Sequence, residues 1–388
     1  MKTLFTFFSI SAFSILLPAQ EAFQALWQTN TPLTPVLTVS FSSNCTRLAS
    51  GYNGGAQIKV WESQTGALIR GINSGSTRCL VLDSDGEYVA ADAGGGRVRV
   101  WRISDGIRVL NGGPDDESLY ALNFHPQNTY LAIGRSDGLN VANAPSGPGI
   151  IFGEPPGEVL GVCFSPDGLT LASANDTATA SLWDVPAGTL TREFIGHSNV
   201  VNSVDFSPDG RLLATASRDG TARIWNVTNG VCLKVLEGGG GLGEYEGGSY
   251  MGLNGCTAKF SANGQLLYTL ESQVFKIWRV ADGRHIRTIT GSEMLCFDVA
   301  KNGHYFAYGT ISGTLVVARP PLVLDSITRA GNETVLQWQG GSGLYQLQSN
   351  TNLTTNGWQN LGAPTTNTVA TNVSSASQFF RVQSLPSP

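Results

Sequence analysis

From Val36 to Ala318 the chain repeats one short pattern. Apolar and polar residues alternate over a few positions, a turn interrupts, and the alternation resumes. A period of two predicts strands with one buried face. Residues 196–236 show the pattern most fully. Val200 to Phe206 reads as a first strand, and Ser207-Pro208-Asp209-Gly210 as a turn in which Pro fixes φ and Gly supplies the last position. Leu212 to Ser217 reads as a second strand and Arg218-Asp219-Gly220 as a tight hairpin turn. Thr221 to Trp225 and Val231 to Leu236 complete the unit. Four antiparallel strands in about forty residues make a sheet too small to be stable alone.

The unit recurs. Its third strand ends at Trp61, Trp101, Ala142, Trp183, Trp225, Trp278 and Ala318, which lie 40, 41, 41, 42, 53 and 40 residues apart. The corresponding turns begin at Ser42, Asp83, His125, Ser165, Ser207, Ser261 and Ala300. A period of 40–45 residues with four strands per unit is the mark of a propeller blade. The chain resembles the WD40 repeat family on Gly196-His197, Ser217, Asp219 and Trp225-Asn226, and on the literal Trp183-Asp184. The resemblance covers about residues 22–320 and implies an all-β, seven-bladed β-propeller. It also implies a buried hydrogen-bonded set of His197, Ser217, Asp219 and Trp225, with Trp61, Trp101, Trp183 and Trp278 as landmarks of the other repeats. In that set Asp219 accepts from the imidazole, His197 meets Ser217, and the indole N–H closes the group. The same His, Asp and Ser also fit two-thirds or more of a hydrolase triad, but the family explains them as structure. Only the fifth repeat has the full set: counting back from Trp183 places Asn175 and Thr177 at the Ser and Asp positions, and repeats three and seven lack the Trp.

The seventh repeat stops at Arg319, before Pro320-Pro321, so it has three strands of its own. In WD40 propellers the missing outer strand commonly comes from the N-terminus, and residues 22–30, with Trp27, are the expected closing strand. The long interval between repeats five and six carries a Gly-rich insertion, 238–248, flanked by Glu237 and Tyr250. It lacks the Gly-Lys-Ser/Thr ending of a phosphate loop, and its acidic residues oppose phosphate. It reads as a flexible loop, or as a partner-binding lip using Tyr245 and Tyr250.

Composition narrows the function. A net charge of −5 argues against nucleic acid as a partner. Charged residues are 14% of the chain and Gly numbers 47, which suits short strands and tight turns. Residues 1–19 read as a secretory signal peptide: Lys2, an apolar run from Leu4 to Leu17, then Pro18-Ala19, with Leu17 a poor match to the usual small residue. That run is short for a membrane span, and no second one follows. Export permits disulfides, but six widely spaced cysteines without a C-x-x-C pair read as buried free thiols. From residue 322 to 388 Asn, Thr, Ser and Gln dominate, and the runs at Thr334–Trp338, Tyr345–Gln348 and Phe379–Val382 alternate. This region resembles a small fibronectin-III-like β-sandwich of secreted bacterial proteins, with Trp338 and Trp358 in its core.

The four His residues, His125, His197, His285 and His304, fall in different repeats, so no zinc pair is expected. Asp115-Asp116-Glu117 is too short a run to supply a calcium site. No Gly-x-Ser-x-Gly elbow occurs. The first strands offer mostly Ser, Val, Leu and Cys to the channel. No catalytic residue, cofactor or metal is therefore expected. The reading is an exported, monomeric, non-enzymatic scaffold for protein partners, secreted, periplasmic or on the cell surface. Its partner face carries Arg135, Arg218, Tyr245 and Tyr250. The alternatives are a hydrolase- or lactonase-like enzyme or small-ligand binder using the channel, and glycan binding by the C-terminal module.

Overall fold

The computed structural model describes residues 23, 25–31, 34–53, 57–92, 96–112, 118–143, 149–151, 157–240 and 256–320, together with the backbone of 8–9 and of strands after 322. The chain divides into two compact units: Leu26–Asn302 with Phe306–Val317, and Met1–Ala25, Gly303–Tyr305 and Ala318–Pro388. Every regular element among the described residues is a strand.

In the first unit the repeats fold as seven four-stranded antiparallel sheets. Blade five consists of Val201–Phe206, Leu212–Ser217, Thr221–Asn226 and Cys232–Glu237. Its turn is built as expected: Gly210 sits at φ 71°, its N–H bonds to Ser207 O at 2.8 Å, and Ser207 Oγ accepts the Leu212 N–H at 2.9 Å. Register then decides which face each residue takes. Leu213 pairs with Trp225 and Thr215 with Arg223, while Ala214 pairs with Ile224 and Ala216 with Ala222. The first set faces blade four, against Phe194 and Leu182. The second faces blade six, against Ala258, Phe260 and Trp278. Ala214, Ala216 and Ala222 are fully buried, and their small side chains let neighbouring blades approach closely. A sheet that cannot bury its faces alone is stabilised here by a blade on each side.

Each inner strand runs beside that of the next blade, and Val36–Phe41 of blade one runs beside Met294–Val299 of blade seven, so the ring closes. Blade seven has Met294–Val299, Phe306–Thr310 and Thr314–Ala318, and its fourth strand is Ala25–Asn30. The Thr31 N–H bonds to Gly313 O at 3.0 Å. Trp27 Nε1 donates to Ser63 O at 2.8 Å, and its ring lies 6.0 Å from that of Trp61.

In the second unit the backbone forms two antiparallel sheets. One orders Phe8–Ser9, Phe379–Ser384, Tyr345–Asn350 and Gln359–Asn360; the other orders Val323–Ala330, Glu333–Gln339 and Thr368–Asn372. Of residues 1–19, Phe8–Ser9 are described, pairing with Phe380 and Phe379; the rest of the expected signal peptide and Trp358 lie outside the described residues.

Candidate functional site

The one triad-like constellation of the sequence forms, with a change of membership. His197 Nδ1 lies 2.7 Å from Asp219 Oδ2. Its Nε2 lies 2.7 Å from Thr215 Oγ1, and Trp225 Nε1 donates to that same oxygen at 2.9 Å. The hydroxyl joining imidazole and indole is thus Thr215, not Ser217. Strand geometry is the reason. Trp225 pairs with Leu213, and its ring extends along the strand to the next residue on that face, Thr215. Ser217 lies one step further, where its Oγ donates to Asn199 O and accepts the Asp219 N–H.

The set is closed on itself. Only 1% of the His197 side chain and 4% of the Asp219 side chain are exposed. Burial lowers the His197 pKa, against the pull of Asp219, and favours the neutral ring. Nδ1–H then donates to Asp219, Thr215 donates to Nε2, and Trp225 donates to Thr215. Burial alone would raise the Asp219 carboxyl. The Thr221 hydroxyl, His197 and the N–H groups of Thr221 and Ser198 outweigh it and hold the group at about 2. Thr221 was invisible to the sequence reading, as was Thr215.

Three other blades keep the indole–hydroxyl bond. Trp61 donates to Ser50 at 2.9 Å, Trp183 to Ser173 at 3.0 Å and Trp278 to Thr269 at 3.0 Å. At the equivalent place opposite Trp101 stands Ala91, which has no hydroxyl. In blade four Asn175 Nδ2 bonds to Ser181 and Thr179.

The inner strands enclose a channel of about 1390 Å³. At the position before the apolar residue that ends each inner strand, blades one to seven present Ser40, Val81, Asn123, Cys163, Asp205, Lys259 and Asp298. The expectation of mostly Ser, Val, Leu and Cys therefore fails for blade three, with Asn123, and for blades five to seven. Lys259 Nζ bonds to Asp298 Oδ1 at 2.5 Å, and Cys163 Sγ lies 3.7 Å from Asp205 Oδ1. The signal was in the sequence, in the residue before each inner-strand Phe or Val, but only the packing of consecutive blades brings these residues together. Burial pushes the Cys163 and Cys296 thiols up to about 12, so they are poor nucleophiles at neutral pH. All six cysteines are free. Among the described residues, no group of three or more His, Cys, Asp or Glu gathers to hold a metal.

At one mouth of the channel, Arg218 and Arg78 are exposed. Tyr120 bonds to the Glu158 carboxylate, and burial followed by that carboxylate raises its hydroxyl pKa. The Glu158 N–H in turn donates to Asp176 Oδ1 at 3.0 Å. Arg135, expected on this face, is 3% exposed and cannot anchor a partner. It ends a second strand in the same register as Ser217, Asn175 and Tyr52, all of which are buried. Tyr245, Tyr250 and Asp115 to Glu117 lie outside the described residues. The insertion begins at the described Gly238 and Gly240, whose N–H groups bond to Gly220 O. A Cβ on Gly240 would come within 2.2 Å of Ser217 O, so only Gly fits there.

Residues 150–184 and 188–226 match the family "WD domain, G-beta repeat". Over 174 residues the chain is 25% identical to autophagy-related protein 16 of Arabidopsis thaliana, a match covering 43% of this chain and 33% of that protein. The chain thus spans about a third of the length of this curated relative.

Proposed function

We propose that this seven-bladed propeller of WD40 repeats is an exported, non-enzymatic scaffold that holds protein partners at the channel mouth carrying Arg218 and Arg78. The carrying observation is the closed His197–Asp219–Thr215–Trp225 set. Its donors and acceptors are used on one another and it is buried, so the constellation that most resembles a catalytic triad is a structural pin. What the propeller offers to the outside is then its rim. Exposed Arg, with the half-buried Tyr120 also lining the channel, is the residue chemistry that anchors protein contacts.

Export rests on the pattern of residues 1–19 and places the mature protein, 20–388, in the periplasm, on the surface or in the medium. The C-terminal region reads as an appended fibronectin-III-like module. Mature protein is used to capture and identify a partner, whose affinity is then measured against Arg218→Ala and Arg78→Ala. The double variant is expected to weaken binding at least tenfold, or about 1.4 kcal/mol, with an unchanged melting temperature. Full affinity in the folded double variant sinks the proposed face. Amino-terminal sequencing of protein recovered outside the cytoplasm tests the cleavage after Ala19.

A further inference from the structure

Four blades place a basic residue two positions before the third-strand Trp: Lys59, Arg99, Arg223 and Lys276. Arg99 and Lys276 reach back to the preceding blade and donate to a carbonyl just past its outer strand, Ser74 O at 3.4 Å and Gly238 O. Lys59 sits over the rings of Tyr52 and Trp61, 5.1 and 5.9 Å from their centroids. Arg223 of blade five also reaches back, to Gly196, just past the outer strand Thr189–Ile195 of blade four. A Cβ on Gly196 would come within 2.6 Å of Arg223 Nη1. Yet Arg223 makes no hydrogen bond or ion pair among the described residues, and its Nε is buried without a partner. Its guanidinium rests on the Trp225 ring, 5.8 Å from the centroid. The Asp219 carboxylate is already taken by His197, Ser198 and Thr221. Glu237, exposed at the end of the neighbouring strand, makes no ion pair with Arg223 either.

The surface beside this cation is apolar. Val235 stands directly opposite Arg223 in register, so the two side chains are neighbours on the sheet face turned to blade four. Val235 and Leu233 are each 45% exposed, and Val231, just before the strand, is 52% exposed. The strand that carries them, Cys232–Glu237, ends its sheet and pairs on its inner side with Thr221–Asn226. Edge strands usually carry charge against such exposure. Below lie the buried rings of Phe194 and Trp225, 5.5 Å apart. Across the seam Arg192 of blade four adds a second cation, with its Nη2 donating to Thr228 O at 2.9 Å.

We propose that this lateral groove between blades four and five docks an extended acidic segment of a partner protein. A carboxylate of the segment meets Arg223, and an apolar side chain two or three residues away covers Val235 and Leu233. The charge argues for this occupant. Two cations line the groove, and one of them has no anion or carbonyl of its own. A guanidinium is matched in shape and charge to a carboxylate. The apolar row then sets the neighbouring residue and excludes water from the pair. The groove is separate from the channel mouth that carries Arg218 and Arg78, and the proposal does not depend on that face.

A random-peptide library displayed on phage is panned against the full chain, and the enriched peptides are synthesised and titrated. They are expected to carry Asp or Glu within three residues of a large apolar residue. Arg223→Met keeps the packing on Trp225 and removes the charge. Val235→Glu places the chain's own carboxylate opposite Arg223 at an exposed site. Each variant is expected to weaken the peptides about tenfold or more with an unchanged melting temperature. The Arg218→Ala, Arg78→Ala double variant should bind them as the wild type does. No enrichment, enriched peptides without a carboxylate, or full affinity in either folded variant overturns the proposal. So does loss of binding in the double variant, which would put the peptides at the channel mouth. If Arg223→Met does not fold, Val235→Glu alone decides. Sedimentation of the peptide-free chain closes the test: a dimer that Arg223→Met dissociates would make a second copy the occupant and overturn the partner segment.

Discussion

Blades four and five share a register and nearly a sequence period, yet they are pinned differently. Both direct an indole N–H onto a hydroxyl two places along the facing strand, Trp183 onto Ser173 and Trp225 onto Thr215. In blade five the hydroxyl passes the chain of bonds on to His197 and Asp219, and Asp219 collects four donors. In blade four Asn175 stands in the register of Ser217, and its Nδ2 finds Ser181 and Thr179 while its Oδ1 is buried without a hydrogen-bond partner among the described residues. The repeated element is thus the indole–hydroxyl bond. The His–Asp pair is an addition that one blade carries, and it ties the loop before the inner strand to the hairpin turn.

The comparison breaks most visibly at the tryptophans. Trp225→Ala should cost about 3–5 kcal/mol in urea unfolding, from lost burial and a stranded Thr215. Trp183→Ala should cost less, since Ser173 has no His behind it. Equal costs would mean that the His–Asp addition contributes nothing. Next in size, Thr215→Val should cost about 1–3 kcal/mol, because His197 Nε2 and Trp225 Nε1 both lose a buried partner. Ser217→Ala should cost less, and the reverse order would restore Ser217 to the set.

The subtlest difference is in acid. Asp219 is held at about 2, below the ~3.9 of an unfolded Asp, so its contribution is present above about pH 4 and lost as pH falls through about 2. Asp219→Asn should flatten that limb of a stability–pH curve, while Asn175→Ala in blade four should leave its shape unchanged. An acid limb unchanged in Asp219→Asn would show that the carboxylate is not held by these donors.

Much of the propeller was readable in advance because its information is local. Turn residues, alternation and a 40-residue landmark spacing all survive in one dimension, and blades three and seven were found by spacing although Ala142 and Ala318 replace Trp. Pairing across strands is where reading failed. Residue types pointed to Ser217, but the bond is set by which residue lies beyond the one facing Trp225, and that is Thr215. Arg135 looked like an exposed anchor because it is charged and close to a turn; its register makes it a buried strand end. Asp205, Lys259 and Asp298 were missed for a third reason. They are scattered along the chain and meet only once consecutive blades have packed side by side.

The strand Ala25–Asn30 has a consequence in time. It is made before every other strand of the propeller, yet its partner strand, Thr314–Ala318, is the propeller's last; Thr31 and Gly313 are 282 residues apart. At about 5–20 residues per second the first strand waits roughly 15–60 s for its place in the sheet. Six blades can build on near neighbours during that interval, but the seventh cannot be completed. The propeller's last contact is also its longest-range one, and an incomplete chain carries an unpaired strand at each end of the growing arc, open to association with other chains.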